Sequence, residues 1–367
     1  MTNVARPQAK DGVLRVTPYA GSEAKAGGGQ RINISSNESA FGASARAREA
    51  YTNAAADLWR YPEIDARSLR QALAAHYDLE PERIICGTGS DQIIDLLALA
   101  YAGVGDEVVY SAHGFQMYPI AAHAVGAMPV SAPEVNLTTD VDALLDKVTE
   151  RTRIVFLANP NNPTGTFVTR AELARLHAGL PGNVVFVIDA AYAEYVTQAD
   201  YEPGIELVRA HDNVVMTRTF SKIFALASLR VGWAYGPTEI IDILDRIRPP
   251  FNVNAPAIAS AIAALGDREH TDNSRRHNGE VLRWFTDEVT AMGLTVNPSV
   301  ANFVIVHFDP ESPKNAVAAY QYLFDKGIVT RRVGGYGLPD WVRMSMGTRE
   351  EMTIVRDTLK EFLEKND

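Results

Sequence analysis

The sequence predicts a large doubly wound α/β domain with a mostly parallel sheet, together with a smaller α+β domain. From about residue 64, helical patterns alternate with short runs of β-branched and other apolar residues. Compact all-apolar strands separated by helices are typical of a parallel sheet that is covered on both faces. After the segment PPFNVNAPA at residues 249–257, this alternation gives way to a long helical stretch and then to further strand-like runs. Two separate domains are therefore expected.

The elements of the large domain follow one another as helix and strand. The helical segments DARSLRQALAAHY, DQIIDLLALAYA and VDALLDKV precede the strand-like runs RIICG, EVVYS and RIVFLA, and the helical TRAELARLHAGL precedes NVVFVIDAAY and NVVMTRTFS. In open α/β sheets, ligands bind outside the carboxyl ends of the strands. Functional residues are therefore expected directly after these runs.

Three parts of the chain are predicted. Residues 1–30, rich in Gly and Ala, form an arm that packs on something else; residues 31–255 form the large domain and residues 256–367 the small one. In the small domain the strand candidates are LTVNPSVANFVIVHF, GIVTRRVGG and WVRMSMGT. A closing helix places one apolar face inward, formed by Met352, Val355, Leu359 and Phe362.

Composition excludes several classes of protein. The 367 residues are 46% hydrophobic, enough for a large core, and the formal charge of −10 argues against a surface for nucleic acid or anionic membrane. A single cysteine, Cys86, excludes an internal disulfide and a thiolate zinc site, and the eight histidines lack metal-ligand spacing. No signal peptide and no membrane span of about 20 apolar residues is recognisable. We therefore expect a cytoplasmic protein with small-molecule partners.

Five motifs follow the predicted strands: GTGSDQ at 87–92, HGFQMY at 113–118, NPNNPTG at 159–165, DAAYAEY at 189–195 and TFSKIFALASLR at 219–230. GTGSDQ is either a tight turn with Ser90 or Asp91 as helix N-cap, or a phosphate cradle at a helix N-terminus. It is not a dinucleotide fingerprint, because Gln92 occupies the third glycine position. NPNNPTG taken alone has the composition of a turn.

Two charged residues stand out among apolar neighbours. Asp189 ends the run VVFVI, and a buried carboxylate there requires a cation or strong donors, either in a structural ion pair or in a site. Lys222 is flanked by Phe220 and by Ile223 and Phe224. Such a lysine normally extends to solvent, but one that cannot do so has a lowered pKa and becomes a nucleophile for Schiff-base chemistry.

The five motifs together fit one cofactor. Pyridoxal phosphate (PLP) carries an aldehyde for a lysine, a phosphate for a glycine-rich turn, a pyridine nitrogen for an aspartate and a phenolic oxygen for further donors. An aspartate that keeps the ring nitrogen protonated allows the ring to accept electrons. The sequence thus predicts a PLP site.

The same motifs, in the same order, resemble those of the fold type I PLP aminotransferases, and the likeness extends over nearly the whole chain. Within that superfamily the chain is similar to the histidinol-phosphate aminotransferases in the segments VTPY, INISSNES, RYPE, GSDQIIDLL, PNNPTG, TFSKIFALASLRVGW and VRMSMGTREE. The resemblance implies amino transfer between histidinol phosphate and 2-oxoglutarate, giving glutamate.

The resemblance also implies roles for the cofactor-binding residues. Lys222 forms the Schiff base and moves protons, Asp189 pairs with the pyridine nitrogen, and Phe115 stacks on the ring. Asn162 and Tyr192 hydrogen-bond the phenolic oxygen. The cofactor phosphate is held by Gly89, Ser90, Asp91, Thr219, Ser221 and Arg230, the last at the family's eight-residue step from the lysine.

On the substrate side, the resemblance implies that Arg343 grips the α-carboxylate or phosphate of the substrate. Arg331 assists it, although the adjacent Arg332 leaves that choice open. Tyr19 and Asn302 match further pocket positions. Tyr61 is expected to reach the cofactor phosphate of a neighbouring subunit, so the resemblance implies a homodimer with shared active sites.

Some residues depart from the family pattern, and some alternatives stay open. Ala190 replaces an acidic residue common beside the aspartate, Ser228 replaces a common glycine, and Trp233 follows Gly232. An aromatic amino-acid aminotransferase is an alternative, because a carboxylate can use the same arginine anchor. A threonine-phosphate decarboxylase or another PLP lyase is similar in its lysine loop. A PLP-sensing regulator is disfavoured by the lack of a basic DNA-binding domain, and a nicotinamide oxidoreductase by the lack of a glycine fingerprint.

Overall fold

A computed structural model describes residues 7–18 and 32–365. The helices are α1 Asp11–Leu14, α2 Ala45–Ala54, α3 Arg67–Tyr77, α4 Gly89–Tyr101, α5 Met117–Val125, α6 Val141–Asp146, α7 Arg170–Gly179, α8 Ile205–Ala210, α9 Thr238–Ile247, α10 Ala255–Gly266, α11 Arg268–Ala291, α12 Ala316–Asp325 and α13 Arg349–Glu364. The strands are β1 Ile32–Asn33, β2 Ile84–Gly87, β3 Glu107–Ser111, β4 Met128–Ala132, β5 Glu134–Val135, β6 Thr138–Thr139, β7 Thr152–Ala158, β8 Val185–Asp189, β9 Val214–Thr219, β10 Gly232–Tyr235, β11 Thr295–Val296, β12 Phe303–His307, β13 Ile328–Val329, β14 Arg331–Val333 and β15 Leu338–Ser345.

The large sheet has seven strands in the order β2-β10-β9-β8-β7-β3-β4. All neighbouring pairs from β9 to β4 are parallel, and only β10 runs antiparallel to both of its neighbours. Buried side chains alternate between the two faces of the strands: Val155 and Phe186 belong to one core, Ile154 and Val187 to the other. A sheet with a core on each face is the doubly wound arrangement, so the predicted fold class is confirmed.

A second, antiparallel sheet has the order β11-β12-β15-β14. Its core includes one face of α13, where Met352, Val355, Leu359 and Phe362 are all buried as predicted. The helix begins with a capping box, in which Thr348 and Glu351 satisfy each other's backbone N–H groups.

Strand β1 pairs in parallel with β13, almost 300 residues away in the chain, to form a separate two-stranded sheet. The carbonyl oxygen of the next residue, Ile34, accepts from the backbone N–H of Ser345 on β15 at 2.8 Å, which links this segment to the second sheet. Ile34 joins the core of that sheet, whereas Ala257 and Ala261 of α10 join a core of the large sheet. The domain limits placed at residues 30/31 and 255/256 stay predictions. Among the described residues, no helix has both the length and the apolarity that crossing a bilayer requires.

Strands β4 and β10 were not expected from the sequence. Strand β4, MPVSA, lies at the sheet edge with Met128 exposed, so it lacks the continuous apolar run of its neighbours. The β10 run GWAY directly follows the lysine loop and begins with a glycine. It becomes a strand because β2 and β9 flank it on both sides.

Candidate active site

A cavity of about 320 Å³ lies at the carboxyl ends of the large sheet and is closed on one side by the second sheet. Most of the residues predicted for the site line it: Ser90, Asp91, Phe115, Asn162, Asp189, Tyr192, Thr219, Ser221, Lys222, Arg230, Arg331 and Arg343. Five separate strand ends contribute them, because the carboxyl ends of parallel strands meet at one edge.

One end of the cavity is a cup suited to an anion. Helix α4 begins at Gly89, two positions after the end of β2, and the side chain of its N-cap residue Thr88 makes no capping hydrogen bond. The orphan N–H groups of a first turn attract negative charge. Across from the helix, Thr219 Oγ1 donates to Ser221 Oγ at 3.0 Å, and Arg230 Nη1 donates to the same Ser221 oxygen at 3.1 Å. Hydroxyls, a guanidinium and a helix N-terminus thus converge.

The cup depends on the lack of a side chain at Gly89. Its φ is +77°, and a Cβ placed there would lie 2.5 Å from Arg230 Nη2. Arg230 is held close by a hydrogen bond of 2.9 Å from Nη2 to Asp91 Oδ2. Asp91 therefore orients the arginine instead of capping the helix, which answers the N-cap alternative raised by the sequence.

Asp189 also lines the cavity; it is 5% exposed and occupies the last position of β8. Tyr118 Oη donates to its Oδ2 at 2.9 Å, and Thr217 Oγ1 donates to its Oδ1 at 3.2 Å. Burial raises the pKa of Asp189 to about 6, against the two hydroxyl donors that lower it. A cationic group in the cavity would stabilise the ionised form of this carboxyl.

Lys222 lines the same cavity. Its neighbours Phe220, Ile223 and Phe224 are buried, and its Nζ points into the cavity, where it donates to the carbonyl oxygen of Ser36 at 3.1 Å. The same nitrogen is 5.6 Å from the centroid of the Tyr192 ring. Of the two possibilities that the sequence left open for this lysine, the structure has the one in which it extends into the cavity.

Tyr192 and Asn162 face the middle of the cavity. Burial raises the pKa of Tyr192 to about 12, although the cation of Arg343 and a hydrogen bond from Asn37 Nδ2 lower it. That hydrogen bond measures 2.8 Å. Asn162 Oδ1 accepts from Arg343 Nη1 at 2.5 Å, so the predicted cofactor-side and substrate-side residues are in direct contact.

Two arginines from the second sheet lie directly opposite each other on neighbouring antiparallel strands, Arg331 on β14 and Arg343 on β15. Both line the cavity, and Arg343 is only 5% exposed. Like charges at directly opposed positions repel, which an anion between them relieves. Arg332 is exposed on the other side of the strand, so of the two neighbouring arginines only Arg331 is among the residues that line the cavity.

Three of the predicted residues that the structure describes do not line the cavity. Gly89 contributes through its lack of a side chain, which leaves room for Arg230. Asn302 is buried elsewhere and donates to the carbonyl oxygens of Asn37 and Glu38 at 3.0 and 3.2 Å, so it supports the site's wall. Tyr61 is 83% exposed and stacks on Phe251 with ring centroids 4.7 Å apart. Tyr19 lies outside the described residues.

Sequence reasoning missed several residues of the site. Tyr118 and Thr217 hold Asp189, and the segment Ser35–Asn37 forms one wall. Tyr118 ends the quoted motif HGFQMY and Asn37 lies within INISSNES, so both were in view without a role. An asparagine at φ +58°, as Asn37 is, signals a special backbone position, but only the structure displays it.

This donor set fits PLP. The anion cup matches a phosphate, buried Asp189 matches a protonated pyridine nitrogen, and Lys222 in the same cavity matches an aldehyde. Phe115 lines the cavity as a ring for stacking, with Ala191 as a small residue also in the lining. The lack of a side chain at Gly89 also leaves room for Arg230, which a larger residue at position 89 would displace from the cup.

The chain belongs to the aminotransferase class I and II family, whose model matches residues 30–359. It is 51% identical to the histidinol-phosphate aminotransferase of Paramagnetospirillum magneticum and 52% identical to that of Rhodospirillum centenum, each over 97% of this chain and 99% of the relative. The structure is similar to that of the histidinol-phosphate aminotransferase of Sinorhizobium meliloti in complex with pyridoxal-5'-phosphate. The TM-score is 0.91, with 29% identity and 98% of each chain covered.

Proposed function

We propose that this chain is a PLP-dependent histidinol-phosphate aminotransferase, with 2-oxoglutarate as amino acceptor, in histidine biosynthesis. The observation that carries the proposal is that Lys222, the anion cup and buried Asp189 all line one cavity. The near full-length similarity to enzymes of that name supports the choice of substrate.

In this proposal the residues predicted for the cofactor site have the following roles. Gly89, Ser90, Asp91, Thr219, Ser221 and Arg230 hold the phosphate of PLP. Asp189 holds a proton on the pyridine nitrogen, Phe115 packs on the ring, and Asn162 and Tyr192 donate to the phenolic oxygen. When bound, PLP supplies an aldehyde for amines and a ring that accepts electrons from the substrate α-carbon. Lys222 would take the α-proton of the amine substrate and deliver it to the cofactor carbon that carried the aldehyde, which is the proton shift that amino transfer requires.

The substrate anion lies between Arg343 and Arg331. Guanidinium groups bind phosphate or carboxylate in bidentate fashion, and both arginines reach the same cavity. Histidinol phosphate would place its phosphate there. An aromatic amino acid would place its α-carboxylate there, so aromatic aminotransferase activity is the second candidate. Tyr19 and Asn302 are proposed to complete this part of the pocket.

The substrate is tested by a coupled assay for glutamate formation from 2-oxoglutarate, comparing histidinol phosphate with phenylalanine and tyrosine. We expect kcat/KM for histidinol phosphate to be at least about 100-fold higher, which corresponds to about 2.7 kcal/mol of differential transition-state binding. Equal values would identify an aromatic aminotransferase. Release of carbon dioxide without a keto acid would identify a lyase and contradict amino transfer.

The cofactor role of Lys222 is tested by Lys222→Ala. We expect loss of the visible absorbance of the bound cofactor and a fall in turnover by orders of magnitude. Lys326→Ala is the matched control, because Lys326 pairs with Glu361 on the surface. Retention of both properties in Lys222→Ala would refute the assignment.

We also propose a homodimer with shared active sites. Tyr61 is exposed together with Leu58 and Trp59, and these side chains form an apolar patch with Phe251. Such patches mark interfaces. In a dimer, Tyr61 would reach the phosphate site of the second subunit.

Mixing subunits tests the sharing. Lys222→Ala and Tyr61→Ala proteins are each expected to be weakly active. Unfolded and refolded together, they should recover about a quarter of wild-type activity, because half of the dimers are mixed and each mixed dimer has one intact site. No recovery would contradict a shared site.

A cytoplasmic location is proposed as well, since the lone Cys86 is buried and fits a reducing compartment.

A further inference from the structure

Three successive residues, Ser35 to Asn37, each contact a different side chain of the site. The carbonyl oxygen of Ser35 accepts from Arg343 Nη2 at 2.7 Å, and that of Ser36 accepts from Lys222 Nζ at 3.1 Å. Asn37 uses its side chain instead, and its Nδ2 donates to Tyr192 Oη at 2.8 Å. Within this segment, only the last contact is made by a side chain, so only at Asn37 can a substitution remove or reverse the segment's own contribution.

The hydrogen bonds of Asn37 orient its amide. The backbone N–H of Asn37 donates to Ser345 Oγ at 2.8 Å, and the hydroxyl of Ser345 donates to Asn37 Oδ1 at 3.1 Å. Because the amide oxygen faces Ser345, the amide nitrogen faces Tyr192. Asn302 holds the carbonyl group of Asn37 in place at 3.0 Å.

This orientation determines the direction of the Tyr192 hydroxyl. Its oxygen accepts from Asn37, so its own hydrogen must point away from Asn37. Tyr192 lines the cavity and both residues are buried, with Tyr192 packed edge-on against Phe303. The hydrogen is thereby presented to whatever occupies the cavity.

We infer that Asn37 is a positioning residue, which commits the Tyr192 hydroxyl to donate its hydrogen bond to a negatively charged oxygen of the bound ligand. The inference rests on the proposed function, in which that oxygen is the phenolic oxygen of PLP. A donor at this oxygen stabilises its negative charge and keeps the pKa of the bound chromophore low. Asn37 therefore acts on the cofactor through Tyr192 without touching it.

The test is a pH titration of the visible absorbance of the bound cofactor in Asn37→Gly. Glycine adopts the positive φ of residue 37 without strain but cannot orient Tyr192. We expect the pKa of the chromophore to rise by about one unit, a tenfold change in the ratio of its two forms, towards the value in Tyr192→Phe. An unchanged pKa would overturn the inference.

A double variant separates positioning from a general structural effect. If Asn37 acts through Tyr192, the pKa in Asn37→Gly/Tyr192→Phe equals that in Tyr192→Phe alone. Shifts that simply add would show that Asn37 acts by another route, and the inference fails. Asn136→Gly is the matched control, because Asn136 is also an asparagine at positive φ but is exposed on a distant hairpin.

Asn37→Asp is the second variant, for the case that glycine prevents folding. Aspartate keeps the size and the contact with Ser345, but it offers Tyr192 an acceptor, which draws the hydroxyl hydrogen away from the cavity. The chromophore pKa should rise at least as far as in Asn37→Gly, and an unmoved value would contradict the inference. A wild-type protein with no visible cofactor band would contradict the proposed function itself, whereas a normal band with an unmoved pKa in the variants contradicts only the role of Asn37.

Discussion

Tyr118 donates a hydrogen bond of 2.9 Å to Asp189, and both side chains are buried between the large sheet and helix α5. The tyrosine ring is fixed by parallel stacking on Phe156, with centroids 4.6 Å apart. The carboxylate that the proposed mechanism requires is therefore held by a residue that has no direct part in the chemistry.

Replacing Tyr118 by Phe is expected to raise the pKa of Asp189 beyond about 6, because the ionised form loses a donor. A hydrogen bond to a charged group contributes about 1.5–3 kcal/mol, which corresponds to roughly one to two pKa units. The protonated pyridine ring pairs only with ionised Asp189, so PLP affinity falls when the pH is lowered and Asp189 becomes protonated. In the variant this fall should begin at a higher pH than in wild type. Affinity measured across pH by absorbance titration checks this. Tyr110→Phe, a change of the same kind next to Tyr118, should leave the profile in place.

Asp189→Asn is expected to weaken PLP binding but to stabilise the cofactor-free protein at neutral pH. The folded-state pKa of about 6 lies above the ordinary value of 3.8. Below both values the carboxyl is protonated in either state and no penalty arises. As the pH rises between them the unfolded chain ionises first, and above about pH 6 the folded state carries a constant penalty of roughly 3 kcal/mol.

Urea unfolding of the cofactor-free proteins at about pH 5 and about pH 8 measures this penalty. The stability advantage of Asp189→Asn should widen with pH. An advantage that is equal at the two pH values, or a less stable variant at the higher one, would show that burial does not raise the pKa of Asp189.

Arg343→Ala should lower kcat/KM for an anionic amine substrate by about 100-fold or more, because a desolvated charge-assisted contact is lost. Arg331→Ala should act in the same direction but less strongly, since Arg331 is more exposed than Arg343. Arg332→Ala is the internal control on the same strand, with its side chain exposed. Steady-state kinetics measure these values of kcat/KM. A decrease in Arg332→Ala as large as that in Arg331→Ala would contradict the proposal that only the arginine facing the cavity from β14 binds the substrate.

Gly89→Ala should reduce PLP affinity about tenfold or more, because displacing Arg230 forfeits charge-assisted contacts to the phosphate. The new Cβ would lie 2.5 Å from Arg230 Nη2. Gly105→Ala is the matched control, because Gly105 also has a positive φ, of +94°, but has no atom within 4 Å of the Cβ position. Both variants should lose about 1 kcal/mol of stability for the backbone conformation, and only the first should lose cofactor. Equal PLP affinities would contradict the cup.

Much of the cavity was predictable, because its residues follow strands that the sequence marks clearly. Asp189, Thr219 and Lys222 come at or just after apolar runs, and parallel strands necessarily bring such positions to one edge. The distant Arg343 was identified through its resemblance to a family motif, and not from any property of the strand itself. Its opposition to Arg331 depends on the β14–β15 register, which neighbouring residues do not specify.

By itself, then, the sequence determined the order of helices and strands, the sheet edge at which the chemistry-bearing residues meet and the identity of most of those residues. Local patterns carry that information, because the spacing of apolar residues in each segment indicates whether it is a helix or a strand and whether one face or both are buried. Only the tertiary structure decided that Tyr118 holds Asp189 and that Asn37 orients Tyr192. These contacts join residues 71 and 155 positions apart. Such pairings arise when packing brings distant segments together, here through the β1–β13 pair and the contact of α5 with the sheet.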